Sequence, residues 1–261
     1  MRIGIIGNGI AGSMAKKIAL KNGYEAKIHS TNRDVASRSA LATIRPTWFS
    51  KDQRANIEES WSWYEEFGAT VTRSAWVSSW RTDKVVEQDS WWLVNPVSVL
   101  ELPDYLSDVQ HIDQIKRFGY DAVLDARGVS LSRNLNKFWG ATLISKSAEM
   151  LNAPYRVHHV RPYHSIQIVK TDGAVRLGSS ISKDKDKCKF QIFDMLNLAE
   201  DIGLVSKVDD WVLSMGIRTQ TISKDIIVPN VKENFTSIGG LHRVGYGLAP
   251  SLIARWLDSL C

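Results

Sequence analysis

The stretch "RIGIIGNGIAG", residues 2–12, limits the fold of this chain more than any other. An isoleucine-rich run ends at Gly7, and "IAGSMAKKIALKNG" follows at 10–23. The first reads as a strand buried on both faces. The second reads as an amphipathic helix, with Ala11, Met14, Ile18 and Leu20 on or near one face and Gly23 ending it. Between them Gly7, Gly9 and Gly12 fall at G-x-G-x-x-G spacing. Gly7 permits a tight turn, Gly9 lets a pyrophosphate approach the backbone, and Gly12 lets the helix press against the strand. The helix start at Ile10 and Ala11 then offers free N–H groups and a partial positive charge to phosphates. The spacing predicts a dinucleotide site in a βαβ unit, with "YEAKIHS" (24–30) as its second strand. That strand ends in His29 and Ser30 where an acid usually meets the ribose. Both can hydrogen-bond a ribose, and the missing carboxylate leaves room for a 2′-phosphate, with Arg33 as its candidate partner.

A second glycine-rich segment, "SIGGLHRVGYGLAPSLIARW", lies at 237–256. So much backbone freedom before a helix needs a reason, because glycine costs conformational entropy. One reason is a ligand lying directly on the backbone; the other is a plain strand-to-helix connection. The helix is expected over "APSLIARWLDSL", with Pro250 in its first turn.

Between these ends the pattern alternates. Residues 50–68 predict a helix capped by Ser50, with Arg54 off the capping-box pattern and Gly68 as its stop. Residues 70–100 suit antiparallel strands. "YDAVLDARG" (120–128) reads as another buried strand, while "RVHHVRPYHSIQIV" and "AVRLGSSI" read as further strands. In the former, Arg161 and Tyr163 are expected on one face and His164 on the other. A helix is expected at 189–203 and a strand at "FTSIGG". The alternating "SKDKDKCK" (182–189) reads as a solvated loop. The fold class is therefore α/β: a Rossmann-like nucleotide-binding layer with a smaller antiparallel β-rich layer inserted into it. We expect the first from 1–68, 106–150 and 222–261, and the second from 69–105 and 151–221.

Composition sets bounds. The chain has 261 residues, 44% hydrophobic and 23% charged, ordinary for a soluble globular protein. No apolar run reaches the about 18 residues of a membrane span, and the N-terminal glycines argue against a targeting segment. Cys188 and Cys261 make no disulfide framework, which fits a reducing, cytoplasmic setting. A net charge of +5 suits a mildly basic enzyme or one with an anionic partner. Ten tryptophans, six of them at 61–92, form a core or a wall over a flat ligand. No metal-ligand spacing and no G-x-S-x-G motif occurs.

After the second strand, "DVASRSALATIRPTW" (34–48) gathers Ala36, Ser37, Ser39, Ala40 and Ala42, then Thr43. Small residues there let a helix start approach a cofactor closely. A nicotinamide enzyme has no need of this segment; a flavin enzyme does. With "SRSALATIRP", "YDAVLDARG", "AVRLGSS", "LSMGIRTQT" and "GLHRVGYGLAPSLIA" in this order, the chain resembles the D-amino-acid-oxidase-type FAD-dependent oxidoreductases, which include glycine oxidase and sarcosine oxidase. The resemblance spans almost the whole chain, in a compact form that would leave the flavin face more open.

The resemblance implies FAD held by Gly7, Gly9, Ile10, Ala11, Gly12, His29, Ser30, Ala40, Leu41, Ala42, Thr43, Ala126 and Gly128, with Gly245, Tyr246, Gly247 and Leu248 under the ring. It implies that Arg218, in "GIRTQT", and Arg243, in "LHRVG", grip a substrate carboxylate. Thr219 replaces the family's proline. Tyr246 would line the substrate pocket, with His242 and His164 as lesser candidates; Arg45 would sit near the flavin, and Arg127 would reach the pyrophosphate or face solvent. Three functions follow: oxidation of a small amine or amino acid, the same chemistry on an amino-acid-modified base of DNA, or a non-catalytic dinucleotide-binding subunit. The sequence does not set the oligomeric state.

Overall fold

The computed structural model describes residues 1–30, 36–106, 114–115, 118–128, 135–150, 153–161, 164–223, 225–230, 232–241 and 244–260. Arg33, Tyr163, His242, Arg243 and Cys261 lie outside the described residues.

The strands of the first half are β1 (Arg2–Ile6), β2 (Glu25–Ser30), β3 (Thr43–Ile44), β4 (Thr70–Thr72), β5 (Ala75–Ser79), β6 (Thr82–Gln88), β7 (Trp92–Val94), β8 (Tyr105–Leu106) and β9 (Ala122–Asp125). Then follow β10 (Leu135–Ser145), β11 (Tyr155–Arg161), β12 (His164–Thr171), β13 (Ala174–Ser182), β14 (Val212–Thr221) and β15 (Phe235–Ser237). The helices are α1 (Ile10–Lys21), α2 (Arg54–Glu66), the short α3 (Pro96–Val99), α4 (Lys185–Asp201) and α5 (Gly245–Asp258).

Among the described residues the strands form three sheets. One is parallel, in the order β15-β9-β1-β2-β8. Its central strand β1 buries Ile3, Ile5 and Ile6, as its unbroken apolar run requires. The chain leaves β1 for β2 on one side, and β9 flanks it on the other, so Gly7 lies at the carboxyl end of the strand where the order reverses. Open α/β sheets bind ligands at such a point. Helices α1, α2 and α5 cover the sheet through Met14, Ile18, Trp61, Ile253, Trp256 and Leu257.

The second sheet runs β14-β10-β13-β12-β11-β5-β6. It is antiparallel except for the β11–β5 pair. Helix α4 buries Ile192, Met195 and Leu196 with Ile166, Ile168 and Leu177 of this sheet. A small third sheet, β3-β7-β4, joins the two halves. The expected segment boundaries divide differently: within 106–150, β9 joins the parallel sheet but β10 joins the antiparallel one. Within 69–105, β5 and β6 join the antiparallel sheet and β4 and β7 the small one.

Five local expectations change. Ser50 does cap, but its capping-box partner is Gln53, three residues on, and it closes a 3₁₀ turn before α2. The stretch from Ala36 to Ala42 starts no helix; it is a turn feeding β3. The run at 182–189 is not a loop: the Asp184 carboxylate accepts from the Lys187 N–H at 2.8 Å, α4 begins at Lys185, and Cys188 is buried. Arg161 and His164 do not share one strand; they are opposite partners at the end of the β11–β12 hairpin.

The last change concerns α5, which starts at Gly245, so Pro250 sits inside it. Proline has no N–H, so the Tyr246 carbonyl loses its helical donor. The buried Tyr64 hydroxyl replaces it, donating to the Tyr246 carbonyl at 2.7 Å. Ser60 Oγ likewise accepts the Ser251 N–H at 3.2 Å. Helix α2 thus supplies through Tyr64 the donor that the proline removes, and through Ser60 an acceptor for the next N–H. Among the described residues, no helix is long and apolar enough to cross a membrane.

Candidate functional site

A cavity of about 1040 Å³ opens at the carboxyl end of β1 and reaches the antiparallel sheet. Gly7, with φ +101°, forms its first turn; a Cβ there would lie 2.8 Å from the Ala126 carbonyl oxygen. A Cβ on Gly12 would lie 1.8 Å from the Gly7 carbonyl oxygen, so helix and strand can meet only at glycine. Gly12 therefore works behind the turn and does not line the cavity, whereas Gly7, Gly9, Ile10 and Ala11 do. Gly9 caps α1 with no side-chain bond, and no acid stands in the first helical turn. The Ile10 N–H donates to Ser37 Oγ at 2.9 Å.

His29 and Ser30 also line this end. Ser30 Oγ donates to Asn8 Oδ1 at 2.8 Å, which ties the end of β2 to the glycine turn. The His29 ring lies 4.8 Å from Tyr105 and 5.2 Å from Phe118, and its Nε2 pairs with the Tyr120 hydroxyl at 2.8 Å. Burial lowers its pKa, against a smaller opposing pull from Asp104, so the ring is held toward its neutral form.

The facing wall comes from Ala40, Leu41, Ala42 and Thr43, from Ala126 and Gly128 beyond β9, and from Gly239 to Leu241, Gly245 and Tyr246. Ala42 holds φ +58°, a left-handed conformation unusual for alanine and frequent where a site constrains the backbone. Arg127 lines the cavity and does not face open solvent. It folds back on Asp125, with Nε 2.9 Å and Nη2 2.5 Å from the carboxylate oxygens. Gly247 and Leu248 stand behind the wall. A Cβ on Gly247 would lie 2.5 Å from the Phe49 ring, so this glycine is required by helix packing.

The antiparallel sheet closes the far side. Arg218, on β14, lines the cavity and lies across Gly140, where a Cβ would come within 2.7 Å of its Nε. Tyr246 is buried, and its hydroxyl donates to the Ser37 carbonyl at 3.0 Å. Burial raises the phenol's pKa, and Arg176 and Arg218 oppose that rise. His164 lines the cavity too.

Sequence reasoning had placed Arg45 near the ring; it lines the cavity, with its guanidinium 4.1 Å from the centre of the Trp91 ring. Burial lowers its pKa, offset in part by Tyr155. Trp48, His159 and Gln167 complete this end and were not singled out as site residues. The crowding of tryptophans at 61–92 was the one signal for Trp91, because a default core reading hides aromatics that do both jobs, and it did not reach Trp48. Gln167 gave no signal: it is one polar residue in an ordinary alternating strand.

No family model and no curated protein matches the sequence. Solved structures do resemble the fold. Glycine oxidase from Geobacillus kaustophilus aligns over 99% of this chain and 94% of its own, at 14% identity and a TM-score of 0.68. Iminodiacetate oxidase from Chelativorans sp. BNC1 aligns over 97% and 93%, at 13% identity and 0.67. An FAD-dependent oxidoreductase from Pseudomonas aeruginosa aligns over 98% and 89%, at 12% identity and 0.60. The chain has the fold of the D-amino-acid-oxidase-type FAD-dependent oxidoreductases.

Proposed function

We propose that the protein is an FAD-dependent oxidoreductase that oxidises the carbon–nitrogen bond of an amine or amino acid. One observation carries this reading: a single cavity joins the Gly7–Gly9 turn, the Ala40–Thr43 segment, Gly245 and Arg218. An extended dinucleotide needs such continuity, and a phosphate-sized ligand does not.

The residues present fit FAD. The acid-free start of α1, where Gly9 brings no side chain, suits a diphosphate. The Ser30–Asn8 pair offers hydroxyl and amide groups for a ribose. The start of α5, at Gly245 and Tyr246, brings a second helix N-terminus to the cavity, where it favours negative charge on a ring system. The chemistry that bound flavin supplies is hydride acceptance from the amine-bearing carbon, after which the imine product hydrolyses in water. The protein's share is positioning. Arg218 would pair with a substrate carboxylate through its planar fork. Tyr246, with its hydroxyl fixed on Ser37, would present a rigid wall and hold its proton at neutral pH. Arg243 is assigned the same carboxylate role as Arg218 on the resemblance alone.

Anaerobic mixing of the purified protein with a panel of small amines, amino acids and modified nucleotides tests the reading. Bleaching of the flavin band by at least one amine is expected. Bound flavin that no amine bleaches would favour the non-catalytic alternative.

A further inference from the structure

Among the described residues, the guanidinium groups of Arg45, Arg127 and Arg218 line the cavity. Each has a different setting. Arg127 is closed on Asp125. Arg218 lies on β14 beside Tyr246. Arg45 rests on Trp91 at 4.1 Å, and its Nε is buried with no hydrogen-bond partner among the described residues. Arg45 as a whole is half-buried and lines the cavity, where an anionic ligand can pair with its guanidinium.

Gln167, His159, Trp48 and Trp91 line the cavity with Arg45, and none is acidic. Gln167 Oε1 accepts from the Tyr155 hydroxyl at 2.7 Å and from Thr43 Oγ1 at 3.3 Å. That leaves the amide N–H groups as its remaining hydrogen-bonding capacity. His159 is held toward its neutral form by burial and by the Arg45 charge. Trp48 meets Trp91 edge to face at 6.4 Å and makes this end aromatic. A guanidinium 4.1 Å from the centre of an indole ring, in a cavity whose described lining holds the Gln167 amide and no carboxylate, has the chemistry of a carboxylate site.

This end is separate from Arg218. Gln167 is on β12 and Arg218 on β14, with β13 and β10 between them. Three inter-strand steps put their strands about 14 Å apart, so the two groups enter the cavity from different places. We propose that Arg45 and Gln167 form a second anion subsite, and that the cavity is built for amines carrying two acidic groups. The amine part of this inference rests on the oxidase reading above; the subsite does not.

Calorimetric titration of the purified protein tests it, with succinate, adipate and suberate as diacids, butyrate as monoacid and butyramide as neutral control. At least one diacid should bind tighter than butyrate. Arg45→Ala should weaken that diacid about 10- to 100-fold and leave butyramide unchanged. Arg45→Lys, which keeps the charge, should restore part of the affinity, and Gln167→Leu should lose less than Arg45→Ala. Diacid affinity within twofold of wild type in Arg45→Ala overturns the subsite, as does an equal loss for butyramide. The titration needs no flavin. A colourless protein that binds the diacid through Arg45 and takes up no added FAD keeps the subsite and overturns the oxidase reading. A yellow protein whose diacid affinity ignores Arg45 overturns the subsite alone.

Discussion

The two glycine-rich segments look alike in sequence and do different work. In the first, Gly7 and Gly12 are demanded by the chain's own backbone, since any Cβ would strike a carbonyl of the turn or of its neighbour. In the second, Gly247 is demanded by the Phe49 ring and Gly245 is set against Ile10. The first segment is closed on its own strand and on Ala126, and it lines the cavity through Gly7 and Gly9; the second is shaped largely for helix α5 to lie close to its neighbours, with Gly239, Gly240 and Gly245 reaching the cavity. Glycine frequency announces close approach, and only the partner says whether that approach serves binding or packing.

Substitutions can break this contrast. Gly12→Ala should have the largest effect, more than about 3 kcal/mol, because the new Cβ would lie 1.8 Å from a backbone carbonyl oxygen that cannot swing aside as a side chain can. Chemical denaturation measures it, and a loss below 1 kcal/mol would refute the close-contact reading. Gly247→Ala should cost about 1–3 kcal/mol, and Phe49→Leu in the same chain should recover part of it, since the neighbour at 2.5 Å is a side chain. No recovery would mean that the glycine serves something other than packing. Tyr64→Phe should cost about 1–2 kcal/mol by stranding the Tyr246 carbonyl, and Ala in place of Pro250 should make that same change nearly neutral, because the helix then supplies its own N–H. Acid should act on the first segment through His29. Its folded pKa lies below the unfolded value of about 6.5, so the stability it contributes is full above that pH and is lost as pH falls. His29→Gln should flatten the fall in melting temperature between neutral and mildly acid pH; an unchanged slope would place the titration elsewhere.

Legibility in the sequence follows the same divide. The β1–turn–α1 unit was readable because its parts are adjacent and Gly12 answers to Gly7 in the same turn, although the contact of Gly7 with Ala126 is not local. The Ala42–Thr43 segment and Arg218 were reached through resemblance, and the structure brings both to the cavity. Helix α5 was started too late because Pro250 is a usual first-turn residue, and nothing local shows that Tyr64, 182 residues from Tyr246, would satisfy the freed carbonyl. The start of α4 was hidden by alternating charge that resembles a loop until Asp184 is seen to cap it. The subsite at Gln167 depends on cross-strand and inter-layer neighbours, which no short window of sequence contains.

The most direct measurement is denaturation of the freshly purified protein in acid, followed by identification of whatever it releases. A yellow protein that yields FAD in equimolar amount is the predicted result. A colourless protein that also fails to take up added FAD would contradict the claim that both ends of the chain build one dinucleotide cavity.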